Sequence, residues 1–391
     1  RFDLRGEFND PFAGIRRVRF RASHTDYRHD EIEHGEIGTT FRNKGHEERI
    51  EIEHQPWGNW SGVFGLQHAD TTFSATGTEA FLPEVDTRST GLFVVEHLDL
   101  SEQWHFELGA RHEWLTHQPQ NDARNRPKYD ETATSFSGAA IWSFTPDYSL
   151  SFSVARSERL PHAQELYARG VHLATNTYEC GLLPNAFTCG GNLNDADLAI
   201  ETSQNAELTL RKTHGPLTFE IGAFVNDVDD YTYARTLDQH EDFRLIKYTQ
   251  RDAAFRGMEA EVTWAFSDAF SATVFGDSVR AKFDDGSGRL PRIPASRLGT
   301  RLNGTWGDLS GELEFYSASK QDRIADYETV TPGYDMLNLS VSYAFGTYKQ
   351  ASVFLRGSNL LDEQVWNHSS FLADVIPLPG RNVSLGLSYT F

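Results

Sequence analysis

The chain has 391 residues and a net charge of −20, because 56 Asp and Glu outnumber 36 Lys and Arg. This charge argues against a nucleic-acid-binding protein, since binding to phosphates requires a basic face. The mean hydropathy is −0.51, and no apolar stretch approaches the roughly 20 residues of a membrane-spanning helix. These features exclude a helical membrane protein, and the 13% of aromatic residues favours strands over helices.

Apolar residues alternate with polar residues in successive segments, which predicts strands with one apolar and one polar face. In chain order, clear examples are Val18–Ala22, Tyr148–Val154, Leu217–Val225, Met258–Phe266, Leu309–Phe315, Leu337–Phe345 and Val383–Phe391. About 17 such segments of roughly 10 residues, with aromatic residues near their ends, are typical of a transmembrane antiparallel β-barrel. The apolar face, which includes Leu339, Val341, Leu385 and Leu387, is expected to contact lipid, and the polar face to line the lumen.

Short and long connections alternate along the chain. Short turns are predicted at 10–14, 56–59, 145–147, 214–216, 267–269 and 307–308, and long loops at 30–42, 76–88, 118–131, 160–200, 237–245, 284–293, 322–331 and 367–380. In outer-membrane barrels the short turns are periplasmic and the long loops are extracellular. We therefore predict an all-β fold with one barrel domain over residues 1–391. Because complete bacterial barrels have an even number of strands, the count also predicts a C-terminal fragment that lacks at least one strand.

Both cysteines, Cys180 and Cys189, lie in the longest predicted loop, with Gly and Pro residues between them. A loop disulfide in an oxidising compartment and metal binding by the pair are the two alternatives. The disulfide is favoured, because no CxxC spacing or second cysteine pair accompanies them.

Several segments together resemble the TonB-dependent receptors. They are Ser157–Tyr167 before the long loop, Asn192–Leu193, Glu201–Ser203 and Glu207 after it, and Asn359–Asp362, His368–Leu372 and Pro379–Asn382 near the terminal Phe391. Within this family, Asp26–Glu31 and Tyr167–Glu179 resemble the zinc-uptake receptors. The resemblance implies a 22-stranded barrel with an N-terminal plug, and uptake powered by the inner-membrane TonB complex. By this comparison the plug and about five strands are absent from the sequence.

Segment 17–33 contains candidate metal ligands. If Val18, Phe20 and Ala22 face lipid, the same parity places His29 and Glu31 on the inner side near the outer rim, about 7 Å apart. Imidazole nitrogen and carboxylate oxygen suit zinc, although a solvated acidic segment is the competing interpretation. In the receptors that the chain resembles, a barrel Glu and a loop His bind zinc together with plug residues, and Glu31 and His172 match those positions. His97, His105 and His112 are expected to be ordinary surface or girdle residues.

These observations predict an outer-membrane receptor for TonB-dependent uptake of a scarce nutrient, most simply zinc ion as the transported ligand. The expected partners are the TonB complex, outer-membrane lipid and zinc or a metal chelate, with no nucleic acid and a monomeric state. Haem or ferric-siderophore uptake is the alternative, for which Tyr167, Arg169 and His162 are candidates. An enzyme is disfavoured, since no G-x-S-x-G motif occurs, and no catalytic residues or catalytic cofactor are expected.

Overall fold

The computed structural model describes residues 1–33, 35–77, 80–120, 126–183, 189, 198–346 and 350–390. The chain divides into two compact units. The first contains Arg1–Ile141, Ser153–Ala206 and Asp227–Ala253, and the second contains Trp142–Phe152, Glu207–Asn226 and Ala254–Phe391. Among the described residues, no helix has the length and apolar character needed to cross a membrane.

Nearly all regular structure is β. The strands of the described chain are β1 (Phe2–Phe12), β2 (Ile15–Glu33), β3 (Glu36–His54), β4 (Trp60–Gly77), β5 (Glu84–Asp99), β6 (Trp104–Gln120), β7 (Tyr129–Thr145), β8 (Tyr148–Arg159), β9 (Arg169–His172), β10 (Thr177–Cys180), β11 (Glu201–Lys212), β12 (Leu217–His240), β13 (Phe243–Ala265), β14 (Phe270–Phe283), β15 (Arg297–Trp306), β16 (Leu309–Ala318), β17 (Tyr334–Phe345), β18 (Ala351–Ser358) and β19 (Asn382–Tyr389). Helix α1 (Ala163–Tyr167) and a 3₁₀ turn (Leu173–Thr175) lie between β8 and β10. Apart from the four-residue strands β9 and β10, the described strands number 17, as many as the predicted segments.

Two of the predicted long loops are wrong. β2 continues to Glu33 and β3 begins at Glu36, while β12 continues to His240 and β13 begins at Phe243. Segments 30–42 and 237–245 are therefore mainly strand, and each pair is joined by a two-residue connection. A strand needs only about 9–11 residues to cross a bilayer. The rest of such a 19-residue strand has no lipid-facing residues, so the apolar–polar alternation ends and its polar composition resembles that of a loop.

In the second unit, consecutive strands pair in antiparallel register with apolar residues opposite one another. Leu313 of β16 pairs with Leu339 of β17, and Leu355 of β18 pairs with Leu385 of β19. Leu385 and Leu387 are 75% and 70% exposed, and Leu339 and Val341 are not buried either. Such exposure of a continuous apolar face is expected for side chains that contact lipid rather than a packed core.

In the first unit, paired charges lie on the predicted polar face of β2 and β3. The Arg17 guanidinium lies 3.3 Å from the Glu53 carboxylate, and those of Arg19 and Arg49 lie 3.2 and 2.8 Å from the Glu51 carboxylate. The predicted polar parity of Arg17 and Arg19 thus places them beside carboxylates of the neighbouring strand. Glu51 and Glu53 are offset by arginine, so this part of the polar face is less negative than the sequence alone indicates.

The buried core of the first unit forms around α1. His162 caps the helix: its Nδ1 accepts from the Gln164 N–H at 3.3 Å, and the Glu165 carboxylate accepts from the His162 N–H at 2.8 Å. Leu166 and Tyr167 are fully buried and pack against the strands with other apolar residues, among them Phe41, Phe73, Phe81, Leu82, Val85, Leu115 and Tyr129. The capping bonds and this apolar contact hold a helix too short to be stable alone.

Cys180 and Cys189 are joined by a disulfide, with their Cα atoms 5.6 Å apart. Both cysteines are buried, and the Gly181 N–H donates to the Ala168 carbonyl at 2.7 Å. The disulfide therefore lies close to the C-terminal end of α1, because Gly181 directly follows Cys180.

Candidate functional site

His172 is held in place by a short hairpin that follows α1. β9 and β10 pair in antiparallel register, with His172 opposite Thr177, and Asn176 adopts the left-handed conformation at φ 52° that the turn between them requires. β10 also runs parallel to β13, with Thr177 opposite Arg244. The hairpin is thus an added strand pair bound to β13, and it presents His172 at a fixed position.

A buried carboxylate orients the His172 imidazole. The Glu179 side chain is 1% exposed, and its Oε1 lies 2.6 Å from His172 Nδ1. Its Oε2 accepts from Gln164 Nε2 at 2.8 Å and from the Tyr248 hydroxyl at 3.2 Å. Burial raises the pKa of Glu179, but the hydrogen bond and charge of His172 and the bonds from Gln164 and Tyr248 outweigh it. The net pKa lies below the ordinary value, so Glu179 is an anion at neutral pH.

This arrangement leaves one imidazole nitrogen for a ligand. Because Nδ1 of His172 is bonded to Glu179, Nε2 is the nitrogen that can coordinate, as in the carboxylate–histidine pairs that support metal ions. One face of the imidazole is also covered, since the Phe81 ring stacks on it with centroids 4.2 Å apart. Carboxylate and ring together fix the direction in which Nε2 points.

The His29 imidazole is connected to the His172 imidazole by a row of neighbouring aromatic rings. It stacks on Phe41 with centroids 4.8 Å apart, and Phe41 lies 6.4 Å from Phe81, whose other neighbour is His172. Two phenyl rings therefore separate the two imidazoles. We call His29, Glu31, His172 and Glu179 the loop-end site.

Glu31 lies two residues beyond His29 on β2, with Thr39 of β3 as its cross-strand neighbour. The Glu31 side chain makes no hydrogen bond or ion pair with other described residues. The Thr39 side chain is fully buried, and its Oγ1 has no hydrogen-bond partner among the described residues. A free carboxylate beside an unsatisfied hydroxyl is a polar position that a bound ion or its water can fill.

The predicted ligands His29, Glu31 and His172 thus lie in one unit, but they do not form a closed group. Among the described residues, the one group of three whose ligand atoms lie within 4.8 Å of one another is elsewhere. Sequence reasoning gave no role to Glu179. Its separation of seven residues from His172, across the turn at Asn176, is the signal from which a diagonal contact between the two strands could have been found.

The candidates for haem or siderophore binding have structural roles instead. Tyr167 is fully buried and its hydroxyl donates to the Pro127 carbonyl at 3.0 Å, while His162 caps α1. Arg169 begins β9, and its buried Nε has no hydrogen-bond partner among the described residues. Tyr167 is therefore unavailable as a direct ligand, whereas His162 is exposed and uses only Nδ1 in the cap.

The family model and the similar solved structures agree on the family of this chain. A family model described as TonB dependent receptor-like, beta-barrel, matches residues 1–360. Among solved structures, the copper transporter OprC has 14% identity and a TM-score of 0.82, covering 100% of this chain and 65% of that chain. The FrpB iron transporter from Neisseria meningitidis has 12% identity and a TM-score of 0.74, covering 100% and 63%. The siderophore receptor PirA from Pseudomonas aeruginosa has 16% identity and a TM-score of 0.63, covering 100% and 70%.

The chain spans less than two thirds of the length of the copper and iron transporters. At these identities the solved structures show the fold, and they confirm the predicted class, an all-β transmembrane antiparallel barrel. The matched proteins are transporters and receptors, in agreement with the prediction that the chain is not an enzyme. The chain belongs to the TonB-dependent receptor-like β-barrel family, whose members lie in the outer membrane of Gram-negative bacteria.

Proposed function

We propose that the chain is the barrel part of a receptor for TonB-dependent uptake of zinc ion. The observation that carries this proposal is the His172–Glu179 pair, in which a buried carboxylate orients an imidazole and leaves Nε2 for a ligand. His172, Glu31 and His29 are the proposed barrel ligands. Because Phe41 and Phe81 separate the two imidazoles, binding of one ion by both His29 and His172 requires movement of the β9–β10 hairpin. The remaining coordination positions belong to water or to residues of the complete receptor, so the ion can be exchanged rather than held in a closed four-ligand site.

The ligand types favour zinc over Cu(I). Soft thiolate and thioether ligands select Cu(I), whereas imidazole and carboxylate suit zinc. The chain has only two methionines, Met258 and Met336, and both cysteines are in the disulfide. The related copper and iron transporters support uptake of a metal, and the identity of the metal rests on these ligands.

The proposed partners are those of the family: the inner-membrane TonB complex for energy and outer-membrane lipid around the barrel. The complete receptor is proposed to act as a monomer.

The test measures zinc binding and zinc-limited growth of the complete receptor. His172→Ala and Glu31→Ala are expected to weaken both, without loss of the folded barrel on heat-modifiability gels. Glu179→Gln keeps the shape but removes the charge, and it is expected to weaken zinc binding roughly 10- to 100-fold, as found for supporting carboxylates. His214→Ala, in the exposed turn between β11 and β12, is the matched control and should bind as the wild type. Wild-type zinc binding in the His172→Ala, Glu31→Ala double variant would overturn the assignment.

Haem or a ferric siderophore is the second candidate, favoured by the stacked rings of His29, Phe41, Phe81 and His172. Nε2 of His172 would supply the axial ligand of haem, and the buried Phe41 and Phe81 rings would have to separate to admit a flat ligand. Haem-dependent growth and a Soret band that both require His172, without zinc binding, would favour this alternative.

A further inference from the structure

A second group of metal-ligand side chains lies at the opposite end of β5 from the loop-end site. His97 of β5 pairs across the strands with Glu107 of β6, and Asp99 pairs with His105. Ligand atoms of His97, His105 and Glu107 all lie within 4.8 Å of one another. We call these three residues the turn-end cluster, since only Leu100–Gln103 connects the two strands.

The spacing fits a single ion. His97 Nδ1 lies 3.5 Å from Glu107 Oε2. Two ligands of a tetrahedral zinc ion at about 2.0–2.1 Å from the metal are about 3.4 Å apart. Both atoms can therefore reach one ion without movement of the strands, and the His97 and His105 rings are stacked with centroids 5.6 Å apart.

His105 is oriented in the manner seen for His172. Its Nδ1 contacts the Asp99 carboxylate, which leaves Nε2 for a ligand. The cluster thus combines two imidazoles, one carboxylate and an orienting carboxylate, a donor set that suits a borderline-soft divalent ion. We propose that His97, His105 and Glu107 form a second binding site for a divalent transition-metal ion of the zinc class.

The cluster lies on the polar face of the sheet. His97 is four residues from Phe93, on the same side of β5, and Phe93 stacks against the Arg49 guanidinium at 4.4 Å. Arg49 is the residue that pairs with Glu51 on the polar face. The apolar neighbours Leu92 and Leu108 have the opposite parity and are exposed. An ion bound here would therefore be on the side predicted to line the lumen.

The distance from the loop-end site makes this a separate site. Val85, at the start of β5, belongs to the core around α1. His97 is twelve residues further along the strand, about 40 Å at roughly 3.3 Å per residue. The site itself does not depend on the proposed zinc uptake. A role in which the cluster binds the transported ion after the loop-end site does rest on the proposed zinc uptake.

The experiment counts bound zinc in the complete receptor, purified from outer membranes with a tag that contains no histidine. The metal probe is Zn²⁺ alone, measured by equilibrium dialysis and elemental analysis. His97→Ala and the more conservative Glu107→Gln are each expected to lower the stoichiometry by one equivalent. His112→Ala is the matched control, because His112 is on the same strand but the opposite face and bonds to Thr134 at 2.8 Å. Its stoichiometry should equal that of the wild type.

Co²⁺ gives a second readout. Visible absorption typical of tetrahedral Co²⁺ should decrease in Glu107→Gln and remain in His112→Ala. Unchanged zinc stoichiometry and Co²⁺ spectra in both cluster variants, with folded barrels on gels, would overturn the proposal. The two sites are counted separately: loss of an equivalent in His97→Ala but not in His172→Ala supports this cluster and contradicts the loop-end ligands. The reverse result contradicts this cluster alone.

Discussion

Lowering the pH is expected to destabilise α1, because it protonates the buried imidazole of His117. This buried residue lies near the loop end of β6, beyond the exposed apolar side chains that end at Trp114. Its Nε2 is 3.2 Å from the Pro161 carbonyl and its Nδ1 is 2.7 Å from the Thr87 hydroxyl. A carbonyl can only accept, so Nε2 carries the proton. Nδ1 of the neutral ring then accepts from Thr87.

Burial lowers the pKa of His117 from 6.5 to about 4; the Pro161 carbonyl opposes this shift, and His162 adds to it. Between these values the unfolded chain binds more protons than the folded chain. The stability contributed by neutral His117 is therefore complete above pH 6.5 and is lost as the pH falls toward 4. The whole contribution is roughly 3 kcal/mol, and about 2 kcal/mol of it is lost at pH 5.

The assay is hydrogen–deuterium exchange of the receptor in detergent at pH 7 and pH 5, corrected for intrinsic exchange rates. The amides of Leu166, Ala168 and Gly181, which bond within or beside α1, should lose protection at pH 5. His117→Gln cannot titrate, so its protection should be lower at pH 7 but change little with pH. His214→Ala should behave as the wild type. Equal protection of the wild type at both pH values, or the same loss in His117→Gln, would refute the reasoning.

Three further outcomes are expected. Leu385→Arg places a charge on the lipid-facing parity at a cost of about 2–4 kcal/mol near the bilayer midplane, so it should reduce assembly far more than Ser384→Arg; equal assembly on gels would contradict the face assignment. Replacing Cys180 and Cys189 with Ser removes a closed loop worth about 2–3 kcal/mol and should increase proteolysis of segment 160–200, with an intact barrel; unchanged proteolysis would contradict this. In Gly181→Ala the new Cβ would meet the α1 backbone at 2.3 Å, so exchange of α1 amides should rise, and unchanged exchange would show that the backbone moves without cost.

Strand positions could be predicted from the sequence because alternation with a period of two is imposed by lipid on one face and water on the other. Where strands extend beyond the membrane, this contrast disappears. The polar sequence around 30–42 and 237–245 therefore predicts loops where the structure has the ends of β2, β3, β12 and β13. The ladder hydrogen bonds that continue there depend on the neighbouring strand, which no local sequence pattern reveals.

The candidate site residues could also be predicted only where a local pattern or the family resemblance marks them. Segment 17–33 contains His29 and Glu31 on a predictable face, and resemblance to a family directs attention to His172. The partner of His172 is set by the β9–β10 hairpin, so Glu179 could not be identified from composition. His97 and Glu107 are ten residues apart in sequence, and only the register of β5 with β6 brings their side chains together.

The parallel pairing of β10 with β13 makes detachment of the His172 hairpin a rare event. Thr177–Cys180 lie opposite Arg244–Lys247 over four positions. At about 0.5–1.5 kcal/mol for each ladder hydrogen bond, the ladder alone contributes about 2–6 kcal/mol to the cost of detachment, and the bonds of buried Glu179 to Gln164 and Tyr248 add to it. With a ladder contribution near the middle of this range, at most roughly one molecule in a thousand has the hairpin detached at any moment. Exchange of a ligand that requires this movement would then be limited by a rare opening event on a timescale of microseconds or longer.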